Sequence, residues 1–172
     1  MQIISLPDHW TIVLSFVLWF VIQYSAALYC LRIPDDKLSS SSDLFRSHRF
    51  EDGGRIYDKI FRISRWKHLL PDGNVISKRE KYKKKHLTDM SQENLSRFLI
   101  ESARAELTHW LAIPPFILFG FFVPPRVVWY MLIYAILVNL PCIIAQRYNR
   151  PRVQRLLNRM ASHNPKQLNQ IT

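Results

Sequence analysis

Two side chains that could work together in catalysis, Glu106 and His109, lie three residues apart beside an apolar part of the chain. On a helix, residues i and i+3 are neighbours, so the carboxylate can reach the imidazole. A carboxylate beside an imidazole orients the ring and raises its basicity, as a general base requires. Glu101 and Arg104 precede this pair, and the uncharged segment 110–125 follows it. Because ionisable groups are costly next to lipid, the pattern predicts a reaction site at a membrane surface.

A second histidine and carboxylate, His68 and Asp72, offer an alternative base. Their H-x3-D spacing is one residue shorter than the H-x4-D of many glycerolipid acyltransferases. Other familiar catalytic patterns are absent from the sequence, which has no G-x-S-x-G, no P-loop and no His and Cys spacing that suits zinc. The sequence therefore predicts neither a metal nor a cofactor.

The apolar residues that must position these side chains are concentrated in blocks. Of 172 residues, 48% are hydrophobic, yet the mean hydropathy is only −0.07. Residues 10–31 and 127–146 carry no charge, and each block is long enough to cross a hydrocarbon core as a helix. No Lys or Arg precedes the first block, as one would in a signal peptide, so we expect a retained span. We predict a single membrane domain over residues 1–172, built from α-helices.

A third apolar block, 107–125, is short and interrupted. Its uncharged part has 16 residues, and Pro114 and Pro115 break it. A crossing helix needs about 20 residues, which would draw His109 into the membrane and leave Glu106 at its boundary. The alternative is a shallow re-entrant hairpin. The sequence thus predicts about three transmembrane or re-entrant helices, at 10–31, 107–125 and 127–146.

The distribution of positive charge orients these helices. Of 24 lysines and arginines, none precedes Arg32, 17 lie between Arg32 and Arg104, and six follow Gln146. Positive charge in the short loops of a membrane protein favours the cytoplasmic side. We therefore expect the N-terminus to lie outside, and the region 32–106 and the tail 147–172 to lie in the cytoplasm.

The basic region 32–106 contains further signals. Residues 55–70 alternate apolar and basic side chains at helical spacing, which is typical of an amphipathic helix in the headgroup plane. Lys78–Lys85 holds six basic residues in eight, which is typical of a loop attracted to anionic lipid rather than of a nucleic-acid site. Ser91 is a candidate N-cap for a helix that begins at about Gln92 and runs to the double proline.

Two uncharged polar residues lie inside the long apolar blocks, Gln23 in the first and Asn139 in the last. Each could hydrogen bond across helices, a contact that stabilises membrane helix pairs by roughly 0.6 kcal/mol on average. We interpret both residues as helix–helix contacts.

Five short sequences, in order from residue 32 to residue 152, resemble a known family. They are Arg32-Ile33-Pro34-Asp35, Trp66-Lys67-His68, Asp72-Gly73, Arg104-Ala105-Glu106-Leu107 with His109-Trp110, and Gln146-Arg147-Tyr148-Asn149-Arg150-Pro151-Arg152. In these sequences the chain resembles the glycosyl-4,4'-diaponeurosporenoate acyltransferases of staphyloxanthin biosynthesis. The resemblance implies an enzyme of the bacterial cell membrane. Such an enzyme esterifies a fatty acyl chain to the primary 6-hydroxyl of a sugar on a carotenoid glycoside, or on a related glycolipid.

The expected roles of the residues follow from their chemistry. We expect His109 with Glu106 to be the base that deprotonates the hydroxyl, with the His68 pair as runner-up. Arg147 or Arg150 would stabilise the tetrahedral oxyanion. The remaining candidate substrate-binding residues are Trp66, Lys67, Arg104, Trp110, Tyr148 and Asn149.

The expected partners are an acyl donor, a glycosylated carotenoid or glycolipid acceptor, and membrane lipids, with no nucleic acid. The donor would be acyl-CoA or an acyl carrier protein, and the basic residues 78–85 could hold its phosphates or its acidic surface. Because no complete catalytic motif is present, a non-enzymatic alternative also fits. It is a membrane scaffold or lipid-binding protein of a pigment or glycolipid complex.

Overall fold

A computed structural model of the chain describes residues 2–38, 45, 49–67 and 91–163. These residues form α-helices and 3₁₀ helices, with no strand among them, which confirms the all-α prediction. Described residues within 1–33 and 105–143 form one compact unit, unit 1, and those within 34–104 and 144–172 form a second, unit 2. The α-helices are α1 (Asp8–Leu31), α2 (Arg55–Phe61), α3 (Ile63–Trp66), α4 (Gln92–Ala112) and α5 (Pro125–His163).

Helices α1 and α5 are the two described helices that are long and apolar enough to cross a membrane. They contain the predicted spans 10–31 and 127–146. Many of their apolar side chains are exposed: Phe16 is 71%, Phe20 70% and Trp129 67% exposed. Because soluble monomers rarely expose large contiguous apolar patches, these faces are suited to contact with lipid.

The core of unit 1 is built from α1, the end of α4, the 3₁₀ helix Pro114–Phe121 and the first part of α5. Trp19 lies in this core, and its ring centroid is 4.9 Å from that of Phe119 and 5.2 Å from that of Tyr134. Small side chains let apolar helices approach closely. Three alanines are buried in the same cluster: Ala26, Ala112 and Ala135.

The third predicted span, 107–125, does not form one helix. Helix α4 ends at Ala112, and the 3₁₀ helix Pro114–Phe121 follows before α5 begins at Pro125. Pro114 has no N–H to continue the helix, and its ring clashes with the preceding turn. The interruption predicted at the double proline is therefore present, whereas both the spanning and the re-entrant path of 107–125 stay predictions.

Helix α4 begins and ends where the sequence predicted. Its first turn is capped by Ser91, whose Oγ accepts a hydrogen bond from the backbone N–H of Asn94 at 3.3 Å. In unit 2 the helix buries a stripe with helical spacing, formed by Leu95, Leu99 and Ala103. The predicted cap and the predicted helix are both confirmed.

The continuous amphipathic helix predicted over 55–70 is wrong. Helix α2 ends at Phe61, and Arg62 adopts a left-handed conformation with φ 49° and ψ 42° before α3 begins. The Asp58 carboxylate accepts the backbone N–H of Ser64 at 3.0 Å, which is a local alternative to continued helix. Residues 68–70 lie outside the described part of the chain.

Helix α5 continues well past residue 146, where the last predicted span ended. The predicted end was placed at the change from apolar to basic sequence, but basic side chains are good helix formers. The described part of the predicted tail 147–172 is therefore helical as far as His163.

Two glycines allow the segment 49–67 to approach α5 closely within unit 2. Gly53 and Gly54 both have positive φ, at 60° and 88°. A Cβ atom at Gly54 would lie 2.8 Å from the backbone oxygen of Tyr148, a distance that real Cβ contacts do not reach. Glycine is required at this position for both its conformation and its size.

Replacing Gly54 by alanine should therefore destabilise the protein by about 2 kcal/mol or more. Gly120→Ala is the matched control, because a Cβ there would meet Val128 at an ordinary 3.7 Å. Thermal unfolding of the two purified variants measures the difference. Equal melting temperatures for both variants would show that the close approach of Gly54 to α5 does not constrain the fold.

Candidate active site

The structure divides the candidate site residues between the two units. Unit 1 contains Glu106, His109 and Trp110. His68 and Asp72, the alternative base pair, lie outside the described residues. The remaining candidates belong to unit 2: Trp66, Lys67, Arg104, Arg147, Tyr148, Asn149 and Arg150.

The imidazole of His109 is hydrogen bonded to α5. Its Nδ1 atom lies 2.9 Å from the side-chain oxygen of Asn139, which is fully buried. The same oxygen accepts a hydrogen bond of 3.1 Å from Gln23 Nε2 on α1. The prediction that Gln23 and Asn139 hydrogen bond across helices is confirmed, and they bond to each other.

This network determines which nitrogen of His109 carries the proton. Asn139 Nδ2 donates to the backbone carbonyl of Ala135 at 2.9 Å. Because a carbonyl can only accept, the side-chain atom of Asn139 that faces Ala135 must be the nitrogen. Asn139 Oδ1 must then be the acceptor that faces the ring, and His109 Nδ1 must carry a hydrogen. In the neutral ring the lone pair is then on Nε2, which is the form that a general base requires.

Glu106 does not take the position expected from its spacing. Its carboxylate is fully buried, and its Oε1 atom accepts a hydrogen bond of 3.3 Å from Trp110 Nε1, one helical turn further along. The side-chain hydrogen bond of His109 is with Asn139 on α5, so the expected Glu106–His109 pairing is replaced by a bond between two helices.

In unit 2, Arg147 belongs to a buried ionic cluster. Its Nη1 atom lies 2.8 Å from Oε1 of Glu51, and the Tyr57 hydroxyl donates to the same oxygen at 2.7 Å. Glu51 is buried, and Tyr57 is half-buried. Burial, and then the hydrogen bond to the Glu51 carboxylate, raise the pKa of Tyr57 above its ordinary value. Tyr57 is thus a hydrogen-bond donor at neutral pH.

Arg150 is buried among main-chain acceptors. Its two terminal nitrogens donate to the backbone oxygens of Phe45 and Ser102 at 3.1 and 3.2 Å, and its guanidinium lies over the Phe45 ring. The Ser102 hydroxyl in turn donates to Gln146 at 2.9 Å. These contacts hold the Arg150 side chain in place within unit 2.

Arg104 and Trp66 also make contacts inside unit 2. The buried Arg104 guanidinium forms ion pairs with Asp35 and, at 3.3 Å, with Glu101. Glu101 lies three residues before Arg104 on the same helix, and Asp35 is a second partner from a distant part of the chain. Trp66 Nε1 donates to the backbone oxygen of Phe61 at 2.8 Å, across the break between α2 and α3.

Three candidate substrate-binding residues lie together in unit 2. Lys67 Nζ is 3.4 Å from Asn149 Oδ1 and 5.1 Å from the centre of the Tyr148 ring. Arg152 also lies over this ring, with its guanidinium carbon 3.4 Å from the ring centre. The break at Arg62 and the glycine approach thus bring α3 close to α5 within this unit.

Unit 1 contains an open apolar cleft of about 450 Å³ between the 3₁₀ helix and the start of α5. It has room for an apolar chain but no group for acid–base chemistry, so the reacting groups must lie elsewhere. Its lining residues are Phe116, Ile117, Gly120, Phe121, Pro125, Val128 and Trp129.

Comparison with known proteins identifies the family. A family profile described as glycosyl-4,4'-diaponeurosporenoate acyltransferase matches residues 41–159. This chain belongs to the glycosyl-4,4'-diaponeurosporenoate acyltransferase family. Among the relatives that carry this name, the protein of Staphylococcus aureus strain bovine RF122 / ET3-1 is 39% identical over 140 residues, which is 81% of this chain and 83% of the relative.

Two further relatives agree with this assignment. The protein of Staphylococcus aureus strain MRSA252 is also 39% identical, and that of strain USA300 is 38% identical, each with the same coverage of both chains. No solved structure matches the chain. Membership of the diaponeurosporenoate acyltransferase family makes this protein an acyltransferase enzyme, in preference to the non-enzymatic scaffold.

For three residues of this acyltransferase, the contacts became clear only from the structure: Asn139, Glu51 and Ser102. Asn139 was recognised as a helix contact, but its bond to His109 depends on how two helices distant in sequence pack. Glu51 stands directly before Asp52-Gly53-Gly54 in a basic region, and its position there does not indicate which arginine it pairs with. Ser102 accepts a hydrogen bond from Arg150 through its backbone oxygen, and no sequence pattern predicts such a backbone contact.

The buried pair of Glu51 and Arg147 leads to a prediction about stability. Arg147→Met should destabilise the acyltransferase by about 3 kcal/mol, because it leaves the Glu51 carboxylate buried without its cation. Glu51→Gln should cost less, since glutamine is neutral and can still accept the Tyr57 hydrogen bond. Chemical denaturation of both variants compares the two costs. A larger loss for Glu51→Gln would contradict this account of the cluster.

Proposed function

We propose that this acyltransferase esterifies a fatty acyl group onto a sugar hydroxyl of a carotenoid glycoside or a related glycolipid, in staphyloxanthin-type pigment biosynthesis. The acceptor position is the primary 6-hydroxyl. The names of the relatives support the substrate class. The observation that carries the chemistry is the hydrogen bond from His109 Nδ1 to Asn139, which leaves Nε2 available as a base.

The proposed reaction is a direct acyl transfer from a thioester, either acyl-CoA or an acyl carrier protein. His109 Nε2 takes the hydroxyl proton as the hydroxyl oxygen attacks the thioester carbonyl carbon. The tetrahedral oxyanion then collapses and breaks the carbon–sulfur bond. The departing thiolate takes the proton back from the imidazolium, so that an ester and a free thiol are formed.

In this proposal the positioning residue for His109 is Asn139. Glu106 is a buried residue on the same helix as His109, and its carboxylate accepts a hydrogen bond from Trp110. Arg147 stays a candidate oxyanion donor from its sequence position and charge alone, since within unit 2 its guanidinium pairs with Glu51. The guanidinium of Arg150 is engaged by two backbone carbonyls, which disfavours it for that role. His68 with Asp72 remains the alternative base.

The proposed location is the bacterial cell membrane, with α1 and the apolar part of α5 crossing the bilayer. The N-terminus would lie outside, and 32–106 and 147–172 in the cytoplasm, as the positive charge favours. The break after Ala112 supports a re-entrant path for 107–125. Membrane-impermeant labelling of cysteines introduced at Ser5 and Ser162 tests this orientation, since only Ser5 should label from outside.

The role of His109 is tested by acyl transfer to a glycolipid acceptor, measured by mass spectrometry on purified variants. His109→Ala should lower kcat by about 100-fold or more, since general base catalysis contributes 10²–10⁴-fold. Asn139→Leu should lower kcat by about tenfold with little change in KM, because it misplaces the base without touching the acceptor. His68→Ala should remain active.

Gln23→Leu is the matched control for Asn139→Leu. It removes the other hydrogen bond to the same Asn139 oxygen but none to His109. A similar loss of kcat in both variants would assign the effect to helix packing rather than to the base. Wild-type rates in His109→Ala, with loss of activity in His68→Ala, would transfer the base to His68.

A further inference from the structure

Two cationic side chains of unit 2, Lys67 and Arg152, lie over the buried ring of Tyr148. Together with Arg155, which follows Arg152 on α5, we call them the cation cluster. The Arg152 guanidinium carbon lies 3.4 Å from the ring centre, and Lys67 Nζ lies 5.1 Å from it. Arg155, three residues beyond Arg152 on α5, donates to the backbone oxygen of Gly53 at 3.2 Å. Attraction to the ring helps to hold two positive charges near each other, which would otherwise repel.

The cation cluster has little compensating negative charge. Among the described residues, the ion pairs of unit 2 use Arg55, Arg104 and Arg147 instead. The carboxylate that faces the cluster is Asp58. Its pKa is lowered mainly by the hydrogen bond from the Ser64 backbone, and the positive charges of Arg152 and Lys67 add smaller effects. Within the part of the chain that the structure describes, one carboxylate against three cations leaves net positive charge.

The cation cluster is formed by two segments that are distant in sequence, the segment 49–67 and α5. A Cβ atom at Gly53 would lie 2.5 Å from the guanidinium of Arg155, and one at Gly54 would lie 2.8 Å from the Tyr148 oxygen. The absence of a Cβ atom at Gly54 lets the segment 49–67 lie against α5 within unit 2, whereas at Gly53 the flexible end of Arg155 would have to shift. Lys67 thereby reaches Tyr148 and Asn149, so the cluster is a product of the fold and not of one basic stretch.

Guanidinium and ammonium groups at close range are suited to the oxygens of a phosphate ester. Arginine offers paired N–H donors that match two phosphate oxygens, and lysine adds a point charge. The Asn149 amide beside Lys67 can supply a further donor. Lys67 is exposed, and Arg152 is partly exposed, so a ligand can reach both.

We propose that the cation cluster binds the phosphate groups of the carrier that delivers the acyl thioester. This inference rests on the proposed function for the source of the phosphate, and it adds Arg152 and Arg155 to the residues that hold the donor. The alternative source of the same chemistry is the headgroup phosphate of an anionic lipid, which the test below separates.

The test measures binding of coenzyme A to the full-length protein in nanodiscs of zwitterionic lipid, by isothermal titration calorimetry. Lys67→Ala and Arg152→Gln should each weaken binding about 10- to 100-fold, as expected for lost charge-assisted hydrogen bonds. Arg65→Gln is the charge-matched control. It removes an exposed arginine of α3 outside the cation cluster and should change the affinity by less than about twofold.

A kinetic comparison separates this proposal from the proposed function. With an acyl-CoA donor, the variants should show a raised KM. They should therefore lose most of the preference for acyl-CoA over a phosphate-free acyl-pantetheine donor, measured as the ratio of the two kcat/KM values. Transfer from acyl-pantetheine without any binding of coenzyme A would overturn the phosphate site and keep the acyltransferase mechanism. If coenzyme A binds and its binding depends on the cation cluster, but no acyl group is transferred, the phosphate site stands and the acyltransferase mechanism is overturned.

Two further outcomes would also overturn the site. One is unchanged coenzyme A binding in both cluster variants. The other is a loss of binding to phosphatidylglycerol vesicles with coenzyme A binding intact, which would assign the cluster to a lipid headgroup. Lys67→Ala changes an exposed side chain, so its result stands even if Arg152→Gln fails to fold.

Discussion

Asn139 places one buried amide oxygen within hydrogen-bonding distance of both Gln23 on α1 and His109 on α4. The amide cannot rotate to suit other partners, because its nitrogen donates to the carbonyl of Ala135. A buried polar group must have its partners satisfied, so the packing of three helices and the protonation of one histidine are set together. The proposed role of His109 depends on this contact, because the same bond that joins the helices leaves Nε2 of His109 as the basic nitrogen.

In unit 2 the corresponding constraint is the approach of a glycine pair to α5. Gly53 and Gly54 let the segment 49–67 lie against the helix that carries Arg147 to Arg155. This approach pairs Glu51 with Arg147 and brings Lys67 to Tyr148. One local backbone requirement thus positions both the buried ion pair and the cation cluster.

Much of the fold follows from patterns in the sequence. The apolar blocks locate α1 and α5, and Ser91 and the double proline locate both ends of α4. The errors have physical causes. Residues 55–70 have helical spacing, but a side-chain bond from Asp58 to the Ser64 backbone competes with the helix. For His109, helical spacing identified a neighbour in sequence, Glu106, whereas its partner is on another helix. Contacts between distant segments depend on packing that periodicity does not encode.

The hydrogen bond with Asn139 should hold His109 in the form that is protonated on Nδ1. Nitrogen NMR of the protein with ¹⁵N-labelled histidine, at a pH where the ring is neutral, distinguishes the two tautomers. We expect a pyrrole-type signal from Nδ1 and a pyridine-type signal from Nε2 in the wild type, and loss of this preference in Asn139→Leu. A pyrrole-type Nε2 in the wild type, or identical signals in the two proteins, would contradict this expectation.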